Sequence, residues 1–388
     1  MAEFGSTPAP RRLPPLTLLL AALALLGLVL LGAGIIFALR EAGSITRPVP
    51  PPRPGPVPIP VRTQALLFCT WNAENLCDDQ DDPKFHDEIE DWFGRDPSAV
   101  QRKLDLLAQT LLRLNDGRGP DILALVEVEN RPAVERLRAT LNDRLPDEWD
   151  YPESGLVHRD NISGRRIEPA ILTRLPAREA YPGGFGTRRI LGAQIEGPDG
   201  SPLLVLASHW TSRLRGEEET EPKREAYAEV LYRTFLDTYR RNPAADVLIC
   251  GDFNDEPNDP SVRISLRAVG DPAVVRIGEA RPYLLDLMAG RDPQIEGTYR
   301  YGRRWQILDH IVVSPGLLDN AGWRVQPGSL QVVHGPEVRG GPQGGPLRFG
   351  NEHNPNARGP SDHFAVTVRL VVGMELTTEL AERTTEAR

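Results

Sequence analysis

The segment Val247–Asp259 reads VLICGDFNDEPND: an apolar run ends at Gly251, and Asp252, Asn254, Asp255, Glu256, Asn258 and Asp259 crowd behind it. Carboxylate and amide oxygens gathered at the end of a buried strand can hold a hard cation, or they can cap a tight turn. The pattern recurs along the chain. Asn72, Glu74 and Asn75 follow ALLFCTW, while Glu127, Glu129 and Asn130 close DILALVEV and His209 closes PLLVLAS. Asp309 and His310 lie inside ILDHIVVS, and Asp362 and His363 precede FAVTVRLVV. Polar groups inside apolar strands are costly unless satisfied, and strand ends on one rim of a sheet can converge on one site. Oxygen donors without cysteine suit Mg²⁺ or Mn²⁺. A histidine beside an aspartate suits proton transfer from a fixed tautomer. The chain has no GxSxG segment, which argues against acyl chemistry through an activated serine. A hard cation, an activated water and a histidine beside an anionic substrate point to hydrolysis of a phosphate ester.

Such residues need strands to deliver them. Apolar, strand-like runs cover Ala65–Trp71, Asp121–Val128, Glu168–Leu175, Arg189–Glu196, Pro202–Trp210, Ile307–Ser314 and Phe364–Val372. Helical spacing covers Ser98–Leu114, with Ser98 as the expected N-cap, then Pro132–Leu145, then Pro222–Arg241 with proline at its start. The order has no strict βαβ repeat, and several strands follow one another directly. That predicts sheets packed face to face with helices outside. Gly340–Pro360, rich in glycine, proline and asparagine, reads as a long mobile loop.

The bulk numbers bound the remaining possibilities. With 388 residues, 40% of them apolar, the chain can bury a large core. A net charge of −9 excludes a general polyanion binder, so any nucleic-acid contact must come from a local basic patch. The three cysteines, Cys69, Cys77 and Cys250, show no zinc-type spacing, and Cys69 and Cys250 read as small buried hydrophobes. Residues 16–39 are almost wholly apolar, and about 36 Å of helix would cross a hydrocarbon core of about 30 Å. They read as an uncleaved, single-pass anchor behind a short tail, residues 1–15. Arginines flank both ends and leave the orientation open, with the extracytoplasmic side preferred for the folded part. Residues 40–63 contain RPVPPPRPGPVPIP, a polyproline spacer of roughly 40 Å. The folded domain is expected over 64–373, with a tail over 374–388.

Taken in order, WNAENL, DILALVEVEN, SHW, GDFND, ILDHIVVS and PSDHFAV resemble the endonuclease/exonuclease/phosphatase superfamily over about Leu66–Leu370. Segments such as EVEN, HWTSR and GTYRY…W…LDH are similar to a bacterial branch of it. The resemblance implies an α+β fold, a four-layered α/β sandwich of two packed, mostly antiparallel sheets flanked by helices. It implies a Mg²⁺-dependent phosphodiesterase, with Mn²⁺ as a substitute, acting as a nuclease. It also gives each residue a role. Glu127 would bind the metal, with Asn72, Asp362 and Glu74 beside it, Glu74 standing where relatives carry Asp or Asn. Asp252 would lie near the attacking water or the leaving group, with Asn254 and His209 on the phosphate. His363, oriented by Asp309, is assigned the proton acceptor's role. Of the nearby basic residues Arg159, Arg165, Arg166, Arg188, Arg189, Arg213 and Arg215, Arg213 is the best placed to grip substrate. Tyr299 and Trp305 would either stack on a base or sugar or fill the core. One departure is RIEPAIL, where Glu168-Pro169 replaces an Asp-containing strand. The competing expectations are a phospholipid or inositol-phosphate hydrolase of the same superfamily and a non-catalytic scaffold. The expected partner is thus nucleic acid, or a small or lipid phosphate ester.

Overall fold

Strands that are apolar on both sides must lie between two layers, and the longest runs here do. The computed structural model describes residues 63–81, 87–160, 167–181, 184–185, 188–340, 344–353 and 358–373. In chain order its strands are β1 (Gln64–Leu76), β2 (Ile122–Val128), β3 (Leu156–His158), β4 (Glu168–Thr173), β5 (Ala177–Tyr181), β6 (Gly184–Phe185), β7 (Arg188–Glu196), β8 (Pro202–Ser208), β9 (Asp246–Asp252) and β10 (Ala268–Val269). There follow β11 (Leu284–Asp286), β12 (Tyr299–Tyr301), β13 (Arg304–Gln306), β14 (Asp309–Val313), β15 (Trp323–Val325), β16 (Gln331–Val332), β17 (Arg339–Gly340), β18 (Gly345–Pro346) and β19 (Val366–Val372). The main helices are α1 (Glu88–Arg95), α2 (Pro97–Leu111), α3 (Arg131–Asn142) and α4 (Glu217–Arg241).

One sheet runs β15-β19-β1-β2-β4-β3, with β16 on β19; the other runs β10-β11-β14-β9-β8-β7-β5, with β6 on β7. Pairing is mixed: β1–β2, β8–β9 and β10–β11 are parallel and the other pairs antiparallel. Phe68, Ile122, Ile171 and Val368 of the first sheet meet Val205, Leu248 and Ile311 of the second in the central core. Leu104 and Leu107 of α2 and Val134 and Leu137 of α3 cover the outer face of the first sheet. Tyr227, Leu231 and Phe235 of α4 cover the second through Leu206 and Ile249. Helix, sheet, sheet and helix give the four-layered α+β sandwich that the sequence predicts.

Three local expectations change. Asp96, not Ser98, caps α2, accepting from Ser98 N at 3.1 Å and Ala99 N at 3.2 Å. Helix α4 starts at Glu217, before Pro222, because Glu217, Glu218 and Glu219 complement the positive end of the helix dipole. Part of Gly340–Pro360 is anchored rather than loose: β17 pairs with β18, and Phe349 is buried against Trp92 and Phe93. The single-pass membrane location is also corrected. Residues 16–39 lie outside the described residues, and among the described residues no helix is long and apolar enough to cross a membrane.

Candidate active site

The polar ends of β1 and β2 and those of β8, β9 and β14 come together on one rim of the sandwich. Local irregularities aim them. Pairing slips between Asn72 and Leu76 on β1 and between Leu125 and Val128 on β2, and such bulges turn side chains out of strand alternation. Glu127 and Asn254 occupy the left-handed region, with φ of +63° and +53°, a conformation that non-glycine residues keep only where surroundings enforce it. Gly251, at φ +126°, passes so close to β8 that a Cβ would lie 2.0 Å from Ser208 O, so only glycine lets Asp252 arrive here.

These ends border a cavity of about 440 Å³ lined by Asn72, Glu127, His209, Asp252, Asn254, Asp362 and His363, with Arg213, Tyr299, Tyr301 and Arg304 also on its wall. Asn72 Nδ2 donates to Asp252 Oδ2 at 3.0 Å, and Asn72 Oδ1 accepts from Glu74 N at 2.9 Å. His209 Nε2 stands 3.5 Å from Asp252 Oδ2 and 3.8 Å from Glu127 Oε1. The other Glu127 oxygen accepts from Asn75 N at 3.0 Å. Asn254 N donates to Asp252 Oδ1 at 2.9 Å, and its Nδ2 reaches Trp210 O at 3.3 Å.

His363 is clamped from behind. Its Nδ1 lies 2.7 Å from Asp309 Oδ2, and its Nε2 faces Asp252 Oδ2 at 3.7 Å. Its backbone N donates to Ser361 Oγ at 3.1 Å, Ser361 Oγ donates to Asn72 O at 2.6 Å, and Trp71 Nε1 donates to His363 O at 2.9 Å. Desolvation alone would lower the imidazole pKa, but the Asp309 and Asp252 carboxylates outweigh it and hold His363 well above its usual value. Asp252 is pushed up to about 6, first by burial. Asp362 rises to about 7, through burial and the neighbouring Glu74 carboxylate.

An excess of buried carboxylate oxygen with no cysteine is the donor chemistry of a hard divalent cation. Glu127 and Asp362, with Asn72 beside them, fit that role. Asp252, Asp309 and His363 also bring one ligand atom each within 4.8 Å. Within this trio Asp309 Oδ2 meets His363 Nδ1, and Asp309 Oδ1 is buried with no partner among the described residues.

Not every expected residue reaches the cavity. Glu74 gives its oxygens to Phe349 N at 2.6 Å, Gly350 N at 3.1 Å and Arg348 Nε at 3.2 Å, and so holds a loop. Trp305 lies off the lining and stacks near Phe364, with ring centroids 6.0 Å apart. Arg213 is on the lining, but its guanidinium binds Asp255 at 2.7 Å, Glu217 at 2.8 Å and Asp259. Glu168 accepts from Arg189 N at 2.6 Å and also lies off the lining. Strand alternation sends His310 to the opposite face, where its Nδ1 meets Asp286 Oδ2 at 2.9 Å.

Sequence reasoning missed Lys103. It is buried on α2, its Nζ donates to Pro360 O at 2.7 Å, and burial lowers its pKa to about 8 despite the Glu74, Asp362 and Glu127 carboxylates nearby. The available signal was a lysine on the apolar face of SAVQRKLDLLAQTLLRL, in line with Val100, Leu104 and Leu107.

Comparison with known proteins gives fold-level likenesses. A family protein from Bacteroides thetaiotaomicron is 17% identical, with a TM-score of 0.47 over 80% of this chain and 99% of that one. A mannosyl-6-phosphatase from the same organism is 19% identical, with a TM-score of 0.46 over 79% and 99% of the two chains. TDP2 from D. rerio, complexed with single strand DNA product, is 14% identical, with a TM-score of 0.46 over 79% and 98%. No curated protein sequence matches. Residues 67–371 match the Endonuclease/Exonuclease/phosphatase family, and the chain belongs to it.

Proposed function

We propose that residues 64–373 form a Mg²⁺-dependent phosphodiesterase that cleaves nucleic acid. The observation that carries this reading is the meeting, in one cavity, of the Asp309-backed His363 with Asp252 on one side and Glu127, Asn72 and Asp362 on the other. A divalent cation held by Glu127 and Asp362, with Asn72 adjacent, supplies charge neutralisation at the phosphate. The chain's own residues do the rest. Asp252, held by Asn72 Nδ2 and Asn254 N, takes the proton of the attacking water. The sequence reading gives that task to His363. With carboxylates 2.7 and 3.7 Å from its two ring nitrogens, the charged imidazolium is favoured. His363 then donates to a phosphate or leaving-group oxygen while Asp309 fixes its orientation. His209 and the Asn254 amide supply further donors to the charge that builds on the phosphate.

The test offers the chain single-stranded DNA, duplex DNA, RNA, a phospholipid and an inositol phosphate, each with Mg²⁺ and with EDTA. Metal-dependent cleavage of a polynucleotide supports the reading. Turnover of the lipid or inositol phosphate alone would keep the hydrolase and discard the nuclease. A folded chain inert on all of them would leave a scaffold.

A further inference from the structure

The cavity rim is unevenly charged. Around Arg213, positive charge is neutralised internally by Asp255, Asp259 and Glu217. The β12–β13 hairpin is neutralised only in part: Arg304 pairs with Glu256, while Arg303 has no ion pair among the described residues. Residues 299–306 read YRYGRRWQ, three arginines and two tyrosines with no acid, in a chain whose net charge is −9. Tyr299, Tyr301, Arg304 and Gln306 line the cavity, so the hairpin forms one of its walls. Tyr301 is 64% exposed, a large ring left in solvent beside a polar site, and Arg303 and Arg304 at the turn are exposed as well.

The hairpin is tied to the reacting centre. The Tyr299 ring lies 4.7 Å from the His363 ring, and the two residues form a β-bridge. Tyr301 follows on the same face of the strand, one side-chain repeat or about 6.6 Å further out. Arg300 lies over Trp305, 5.6 Å from the ring centroid, which braces the two strands against each other. An edge that starts at the His363 ring thus presents an exposed aromatic, Tyr301, and then the exposed Arg303. Aromatic rings interleaved with arginines on a backbone-tracking surface are what single-stranded nucleic acid needs: a face for a base and cations for phosphates. An isolated phosphate ester or a lipid headgroup has no base to stack.

Resting on the phosphodiesterase reading above, we infer that the β12–β13 hairpin is the docking edge for the single strand flanking the scissile phosphate, with Tyr301 against a base and Arg303 on a neighbouring phosphate. The substrate class is then a single-stranded polynucleotide.

The experiment measures binding of a fluorescein-labelled oligodeoxynucleotide, an abasic strand of equal length and phosphatidylserine-containing vesicles to the full chain in EDTA, across a salt series. Hydrolysis of bis(p-nitrophenyl) phosphate with Mg²⁺ runs in parallel. Arg303→Glu is expected to weaken the oligonucleotide about 5–10-fold and to reduce the slope of log affinity against log salt by about 0.7, the loss of one phosphate contact. Arg303→Lys should recover most of that affinity, and hydrolysis of the small ester should not change with either variant. Tyr301→Ser should weaken the oligonucleotide and spare the abasic strand. Equal binding of both strands by the parent protein, an Arg303→Glu variant that binds as the parent does, or Arg303-dependent binding of vesicles without oligonucleotide would overturn the inference. A parent protein that hydrolyses the small ester but ignores the oligonucleotide overturns the hairpin assignment and leaves the phosphodiesterase standing. Failure to hydrolyse both the small ester and the oligonucleotide with Mg²⁺ removes the catalytic reading and the inference with it.

Discussion

Asn72 Nδ2 donates to Asp252 Oδ2 at 3.0 Å and so joins the end of β1 in one sheet to the end of β9 in the other. The bond fixes the carboxylate assigned to the water relative to the residues assigned to the cation. A hydrogen bond to a charged group contributes about 1.5–3 kcal/mol, so Asn72→Ala should lower turnover roughly 10–10²-fold. Unchanged kcat in a variant with parental circular dichroism would show that the inter-sheet bond has no catalytic role.

His363 and Asp309 should behave as one unit. Removal of a proton-transfer group costs roughly 10²–10⁴ in rate, and that range applies to His363→Ala. Asp309→Asn keeps the shape but removes the charge beside Nδ1, so its loss should be smaller. Because Asp309 acts through the imidazole, the double variant should be no slower than His363→Ala alone. Multiplicative losses in the cycle would mean that Asp309 works independently.

Lys103 should support the Ser361-Asp362-His363 turn through Pro360. Lys103→Met keeps most of the stem's volume and leaves the Pro360 carbonyl without the 2.7 Å bond it accepts. An unsatisfied buried group costs about 1–3 kcal/mol, to be read from the urea midpoint at unchanged m value. A midpoint equal to the parent's would place no weight on this contact.

Asp246 gives a pH signature far from the chemistry. It opens β9, accepts from Trp323 N at 3.0 Å through Oδ2, and has no partner for Oδ1 among the described residues. Burial pushes its pKa from 3.8 to about 7. Between those values the folded chain retains a proton that the unfolded chain has released, so this group makes stability fall as pH rises through that window and remain level above it. Asp246→Asn keeps an acceptor for Trp323 N and removes the charge. It should therefore be more stable than the parent at pH 8, on the order of 2 kcal/mol, and nearly equal to it near pH 4. A difference between the two proteins that stays constant over that range would contradict the assignment.

What could be read from the sequence follows from what each signal depends on. Asn72, Glu127, His209, Asp252 and His363 stand out because a polar residue at the end of an apolar strand conflicts with its surroundings, and that conflict is visible locally. The layers were legible for the same reason: strands such as β2, β4 and β9 are apolar on both faces. Glu74 shares the same sequence pattern as Asn72, but its φ of +48° and the bulge in β1 direct it to the 349–350 backbone, a long-range outcome with no local trace. Trp305 could equally be a stacking platform or a core ring, and only the position of Phe364 separates the two. Lys103 was legible as a polar residue in an apolar stripe, but not its partner, Pro360, which lies 257 residues away.

The most direct test of the central claim is the Mg²⁺ dependence of phosphodiester hydrolysis by the chain and by Glu127→Gln. No turnover is expected in EDTA, with saturation on added Mg²⁺, and Glu127→Gln should raise the Mg²⁺ midpoint at least about 10-fold, as loss of a ligating group implies. Turnover that persists in EDTA, or a Glu127→Gln midpoint equal to the parent's, would contradict the claim.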